Sequence, residues 1–434
     1  LGTCLPASSL TPERQVNRVT RLLLPLGLAL SCLGGILSAQ AKPFQRALVL
    51  TGGGFKFMYE FGVYDALVDR GWKPDVIITT CGAAVVGAVI HGVPDRTERL
   101  ALLQSPAMLE AFRAFKLKRG GFRDIERLIR KLSRYQTGWR TNSDVVPDLF
   151  SLTFFDDDSI PLPFWQKSFA DRAPDDPHIV VVGGTTAFTP DDVETLRRGR
   201  KLYHETYFTD PEIAKLIEGF QSPIAQAYPN SAVALDTKVF TNFSVGDAAS
   251  ISIRDPFLMK PLRRGDQYFT GGNIDLYPLE LARHLASEIV MTFNSGMVDF
   301  ELLAIDVTLG YNMNDRLRNI TGRSVDHWVD ATGIKSRDFT LDPKLKRGFP
   351  KLFELKENYP QDEPLVMRDS EGRPGKHSYV VTAEMEFMRR ALVAYDRGYD
   401  RGIEAIGEVS PGSTARIRYK DSRNFEEHPS HAAQ

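Results

Sequence analysis

The sequence predicts an α/β fold with a mostly parallel central sheet and helices on its faces, and three observations carry that prediction. The β-branched, apolar run "RALVL" ends in glycines and leads into "FMYEFGVYDALVDRG"; the run "PDVIITT" leads into the small-residue stretch "GAAVVGAVIHG". A third run of the same kind, "HIVVVGGTTAF", follows about a hundred residues later. Strands buried on both faces read as continuous apolar runs, and successive strand-helix units imply parallel pairing with helices covering the sheet. The chain has 434 residues with 54 Lys and Arg against 55 Asp and Glu. That balance argues against nucleic acid as a partner, and any electrostatic footprint must be local.

The first forty residues read as a leader. "RQVNRVTR" is basic, "LLLPLGLALSCLGGIL" is apolar, and "SAQA" supplies a small-x-small cleavage pattern, which points to a secretory signal peptide cut after Ala41 and a secreted or periplasmic protein. Initiation at Val16 or Val19 gives a leader of ordinary length and leaves the residues before it as an upstream extension. Two alternatives stay open: a membrane anchor over Leu22 to Ala41, which Pro25 disfavours, and a lipoprotein modified at Cys32, which Ala29 disfavours. Cleavage removes Cys4 and Cys32, so Cys81 becomes the only thiol of the mature chain.

After Ala41 the elements follow in order. Phe57, Phe61, Val63, Tyr64, Leu67 and Val68 recur at near-helical spacing, and Gly71 stops that helix. From about 105 to 176 the alternation breaks into an insertion. Arg113 to Arg140 holds ten Lys or Arg against Asp124 and Glu126, and Ile125, Leu128, Ile129 and Leu132 fall at i, i+3, i+4 and i+7. The expected element is an amphipathic basic helix, either packed on the main domain or lying on an anionic membrane through residues 113–140. Regular patterning resumes with "HIVVVGGTTAF", a charged helical stretch near "DDVETLRRGRKLYHETYF" and a strand-like "SAVALDTKVF". The segment up to 300 then offers a glycine turn, a helix and a strand. Residues 301–415 form an extension whose clearest element is a helix near "TAEMEFMRRALVAYDRGYDRGIEAI", with "YDRG" doubled, and 416–434 read as a disordered tail.

Chemistry concentrates in two loops. Gly52, Gly53 and Gly54 between a strand and a helix suit an oxyanion or phosphate, because backbone N–H groups and the helix dipole can meet an anion there. The dinucleotide and P-loop patterns are both absent, so no nucleotide or other cofactor is expected, and no metal. The turn "TTCGA" occupies the place of a nucleophile elbow, with Cys81 lifted out of the sheet and the Gly82 N–H next to it as an oxyanion donor.

Four blocks resemble the patatin-like phospholipases, a family of lipid acyl hydrolases: "TGGGFKFMYEFGVYDAL", "DVIITTCGAAVVGAVIHG", "DAASISIRDPFLMKPL" and "QYFTGGNIDLYPLELARHLASEIVMTFN". The resemblance implies a patatin-like three-layer fold over about 42–300, an oxyanion loop with Lys56 as an anion contact, and acyl lipid or phospholipid as ligand. It also implies a Ser and Asp dyad, and here the chain departs from the family. The serine position is Cys81, the aspartate position is Thr270, the following Asn falls on Leu276, and Phe57 stands where the family keeps a glycine. Asp266 and Asp275 flank Thr270, His91 lies at the far end of the elbow helix, and His284 reads as a helix-surface residue. Two functions follow: an exported acyl-lipid-binding member, inactive or altered by loss of the dyad, or a cysteine-nucleophile acyl hydrolase or acyltransferase acting on esters or thioesters.

Overall fold

The computed structural model describes residues 41–53, 57–105, 107–108, 122–136, 142–153, 165–189, 201–294, 299–321, 323, 325–331 and 378–407. Its nine strands are β1 (Phe44–Leu50), β2 (Val76–Thr80), β3 (His178–Thr186), β4 (Tyr203–Phe208), β5 (Lys238–Phe240), β6 (Leu262–Arg264), β7 (Gln267–Thr270), β8 (Ala286–Phe293) and β9 (His327–Asp330). They form one sheet in the order β5-β4-β3-β2-β1-β8-β9, with β7 joined to β3 and β6 to β7. From β3 through β9 every neighbour is parallel; β4 and β7 pair antiparallel with β3.

The parallel centre follows from composition. Every residue of β2 and β3 is buried, as strands covered on both faces require. Side chains alternate between the two faces: Leu48, Leu50, Ile77, Ile179 and Val181 belong to one core, while Ala47, Val49, Val76, Ile78, Val180 and Val182 belong to the other.

Helices cover both faces, giving three layers. The first core takes residues from α1 (Phe57–Asp69), α2 (Ala84–Gly92) and α3 (Arg96–Leu103). The second takes residues from α4 (Phe122–Gln136), α5 (Asn142–Ser151), α6 (Pro211–Leu216) and α7 (Pro223–Ala227). Helix α8 (Val245–Ser252) returns to the first, and α9 (Leu279–Leu285), α10 (Asp299–Leu309) and α11 (Met313–Thr321) complete the second. Helix α12 (Ser378–Gly407) packs outside α1. With the sheet beneath and α12 above, α1 is buried on all sides from Phe57 to Leu67, which explains its weak amphipathicity.

The α1 and α12 backbones meet at glycine. A Cβ on Gly62 would collide with the Tyr395 carbonyl, and one on Gly398 with the Tyr59 carbonyl. Glycine inside a helix costs about 1 kcal/mol relative to alanine, so this close approach must be offset by the packing it permits.

The insertion is helical where it is described. Leu128 and Leu132 of α4 are buried with Val145, Val146 and Leu149 of α5, and both helices pack on α10. The apolar stripe of the basic helix therefore faces the protein's own core, and Lys131 pairs with Asp148 of α5 at 2.5 Å. The helical reading near "DDVETLRRGRKLYHETYF" needs correction: Tyr203 to Phe208 is strand β4, and 190–200 lie outside the described residues. Aromatic and β-branched residues at Tyr203, Thr206, Tyr207 and Phe208 favour a strand, and β3 supplies its partner edge. In "SAVALDTKVF" only Lys238–Phe240 forms a strand. Residues past 300 add α10, α11, β9 and α12 to this same sheet and its layers. Residues 1–40, with Cys4 and Cys32, lie outside the described residues, as does the tail, while Ala41 and Lys42 on either side of the expected cleavage site are exposed. Among the described residues no helix is long and apolar enough to cross a membrane.

Candidate active site

The site lies at the carboxyl ends of β1 and β2, where open parallel sheets leave a crevice for ligands. β2 stays extended through Thr80 (φ −132°, ψ 148°), and the chain then reverses at Cys81, whose φ is 48°. A non-glycine residue in this left-handed region costs roughly 1–2 kcal/mol. The turn Cys81–Ala83 then feeds α2. The strain lifts one side chain above the strand end, as a nucleophile elbow requires. The Cys81 side chain is largely enclosed, its residue 7% exposed.

Hydrogen bonds fix the loop after β1 against this elbow. The Gly52 N–H donates to Thr80 Oγ1 at 2.9 Å, and Asn294 Nδ2 donates to the Gly52 carbonyl at 3.2 Å. Thr80 Oγ1 donates in turn to the Leu276 carbonyl at 3.4 Å. A Cβ on Gly52 would stand 2.6 Å from Cys81 Cβ. Gly52 therefore serves close approach, with its N–H turned to Thr80 and not toward an oxyanion. Gly53 follows it, Gly54 and Lys56 lie outside the described residues, and Gly82 is buried in the elbow turn. Phe57 opens α1 and packs edge-on to Phe61 with ring centroids 6.4 Å apart.

The carboxylate at the elbow is one that the sequence reading did not select. Cys81 Sγ donates to Asp255 Oδ2 at 3.1 Å. Asp255 follows α8 in a turn whose carbonyl accepts from the N–H groups of Leu258 and Met259 at 3.0 and 3.3 Å. Phe257 in that turn has φ 66°, and it and Cys81 are the two non-glycine residues with positive φ among the described residues. Strained backbone of this kind clusters at functional sites.

The segment after β7 closes around the pair. Thr270 Oγ1 donates to the Arg254 carbonyl at 3.3 Å, and the Gly271 N–H donates to the same oxygen at 2.8 Å. A Cβ on Gly271 would collide with the Asp255 carboxylate, and one on Gly272 would stand 2.6 Å from the Cys81 nitrogen. Thr270 thus lies beside the backbone that presents Asp255, and the two glycines leave room for that carboxylate and for the elbow. The sequence did hold a signal: Asp255 is the one acid between Asp247 and Asp266, inside a block that already resembled the family.

The other candidates lie elsewhere. Asp266 is fully exposed with Arg263 at 4.0 Å. Asp275 is fully buried and pairs with Arg316 Nη2 at 2.9 Å, and Arg316 also binds Glu280 and the Tyr277 carbonyl. The Tyr311 hydroxyl donates to the carbonyls of Asn273 and Ile274 at 3.2 and 2.8 Å, so this network holds the loop beyond Gly272. Near it Glu205 is wholly buried between Tyr207 and Ser222, which both donate to its carboxyl; burial first, and Asp275 second, push it up to about 8. His91 Nε2 lies 2.8 Å from the Ser168 carbonyl, and burial lowers its pKa. His284 Nε2 lies 2.8 Å from the Leu216 carbonyl, at the helix surface. His178, Asp210 and Glu212 have ligand atoms close enough together for a metal ion. Asp210 already caps α6 through the N–H groups of Glu212 and Ile213, and His178 begins β3, opposite Val76, while Val182 pairs with Thr80 beside the elbow. Four residues of strand, about 13 Å, separate this cluster from Cys81.

The sequence model that describes the patatin-like phospholipase domain matches residues 48–283, more than half of the chain. Among solved structures, VipD from Legionella pneumophila aligns at 12% identity and a TM-score of 0.31, over 84% of this chain and 67% of VipD. The type III effector protein ExoU aligns at 13% identity and a TM-score of 0.25, over 84% of this chain and 54% of ExoU. No curated protein sequence matches the chain.

Proposed function

Because the chain belongs to the patatin-like phospholipase family, we propose that it moves acyl groups from lipid esters or thioesters through Cys81, with Asp255 as the proton acceptor. The single observation behind this reading is the 3.1 Å hydrogen bond from Sγ to Asp255 on a strained elbow. Asp255 takes the thiol proton while Sγ bonds the acyl carbonyl carbon. The oxyanion that forms is assigned to the Gly82 N–H and to amides of the loop beyond Gly52. Collapse expels the alcohol or thiol, which leaves with the proton from Asp255. Water then yields a proton to Asp255 and attacks the thioester carbonyl; the acid departs and Sγ regains its proton. A positioned base contributes about 10²- to 10⁴-fold, roughly 3–5 kcal/mol of barrier, and a thiol needs less help than a hydroxyl because a few per cent ionises unaided near neutrality.

Intact-mass measurement after exposure to a short-chain p-nitrophenyl ester tests this. A single acyl adduct is expected on the wild type and none on Cys81→Ala. An adduct that survives Cys81→Ala, or a wild type that never acylates, overturns the reading. The second result, together with binding of phospholipid vesicles, favours an inactive lipid-binding protein, for which the missing carboxylate at Thr270 speaks. Peripheral contact with an anionic membrane through 113–140 belongs to the same proposal, now through the outward face of α4, where Arg127 and Arg130 are exposed. Export and cleavage after Ala41 rest on the leader pattern, and N-terminal sequencing that finds Leu30 in the exported protein removes the cleavage.

A further inference from the structure

The doubled "YDRG" of α12 finds its counterpart on α1. Tyr395 and Tyr399 stand one helical turn apart, and so do Asp65 and Asp69. The Tyr395 hydroxyl donates to Asp65 Oδ2 and the Tyr399 hydroxyl to Asp69 Oδ2, each at 2.7 Å. Gly398 and Gly402 are likewise one turn apart: Gly398 meets the Tyr59 carbonyl, and a Cβ on Gly402 would stand 2.7 Å from Ala66 Cβ. Rising numbers on one helix meet rising numbers on the other, so the two run in the same direction. Helix α3 completes the joint, with Arg99 Nη2 on Asp65 Oδ1 at 2.6 Å and Arg96 Nη1 on Asp69 Oδ2 at 2.5 Å. The Arg96 guanidinium also stacks over the Tyr399 ring at 5.4 Å. A slide of one residue would separate both tyrosines from their carboxylates and drive side chains into backbone, so the interface admits one register.

That register bears on the site because α1 packs directly on the elbow turn Cys81–Ala83, with Phe57, Met58 and Ala83 in the same core. We propose that α12 is a positioning element for acyl transfer: Tyr395, Tyr399 and Gly398 fix α1, and α1 braces the elbow turn that carries Cys81 and the Gly82 N–H. These residues lie beyond the matched family segment, 48–283, so this support comes from the chain's own extension. The proposal rests on the Cys81–Asp255 reading of the site.

The test compares two reactions of the same sulfur. Acylation by p-nitrophenyl butyrate passes through a tetrahedral oxyanion, forming the thioester and releasing p-nitrophenol. Alkylation by iodoacetamide displaces iodide directly and needs no oxyanion site. The double variant Tyr395→Phe with Tyr399→Phe removes two hydroxyls and keeps both rings. Assayed well below its melting temperature, it is expected to acylate about tenfold or more slowly, since misplacement near 1 Å can cost up to about a hundredfold, while its alkylation rate stays at the wild-type value. Equal acylation in wild type and double variant, or equal losses in both reactions, overturns the proposal. A wild type that does not acylate removes the Cys81–Asp255 reading, and the proposal built on it falls too; a wild type that acylates beside an equally active variant removes the clamp alone. Should the double variant not fold, Tyr399→Phe, whose partner Asp69 is at the surface, is expected to show the same split at a few-fold, and no split overturns the proposal.

Discussion

Cys81→Ser separates the two halves of the pair at the residue scale. With Asp255 in place and Thr270 unchanged, the serine variant is expected to hydrolyse p-nitrophenyl esters, and adding Asp255→Asn is expected to lower that rate by about 10²- to 10⁴-fold; full activity without Asp255 would show that the carboxylate is a bystander. Cys81, the glycine loop and the elbow were legible because each is a local pattern. Asp255 was not, because its place depends on a turn after α8 and on the space left by Gly271, neither of which has a period in the sequence. Glu205 gives an independent residue-scale prediction. Its folded carboxyl keeps its proton up to about 8 whereas an unfolded one releases it near 4.5. Its contribution is therefore fully present below 4.5 and is lost as pH rises toward 8. Glu205→Gln is expected to gain in melting temperature over the wild type steadily from pH 5 to pH 8; a difference that ignores pH would contradict this.

Among the elements, α4 shows how far periodicity carries and where it stops. Its spacing gave the helix and its apolar face, but a stripe of leucines has the same pattern whether it meets lipid or the protein's own α5 and α10. Burial of Leu132 decides for the protein. Leu132→Ala is expected to cost about 2–5 kcal/mol in urea unfolding, whereas Arg127→Glu on the exposed face is expected to change stability by less than about 0.5 kcal/mol. A Leu132→Ala protein as stable as the wild type would mean that the face is not packed. The stretch at Tyr203 to Phe208 failed for a related reason. Its charged neighbours suggested helix, while tertiary pairing with β3 selected the strand.

For the whole molecule, the matched family segment and the folding unit do not coincide. The match ends at 283, yet β8 begins at Ala286 and lies between β1 and β9 in the sheet. A fragment of residues 42–284 would leave the edge of β1 and the first core uncovered. It is expected to show no cooperative urea transition, while residues 42–407 do; a fragment that unfolds cooperatively would refute this. The parallel centre was legible in the sequence, whereas the sharing of that sheet with residues past 300 was not, because β9 is four residues long and carries no pattern of its own.

The pairing of β1 with β8 joins residues about 240 positions apart, as Arg46 and Glu288 are. At roughly 5–20 residues per second, synthesis leaves β1 without that neighbour for about 12–48 s. An apolar strand with an open edge is exposed for that whole interval, and such long-range parallel pairing is intrinsically slow to form. The open edge of nascent β1 is thus available to other chains until β8 emerges, and the yield of folded protein is expected to depend on translation speed as well as on the stability of the finished sheet.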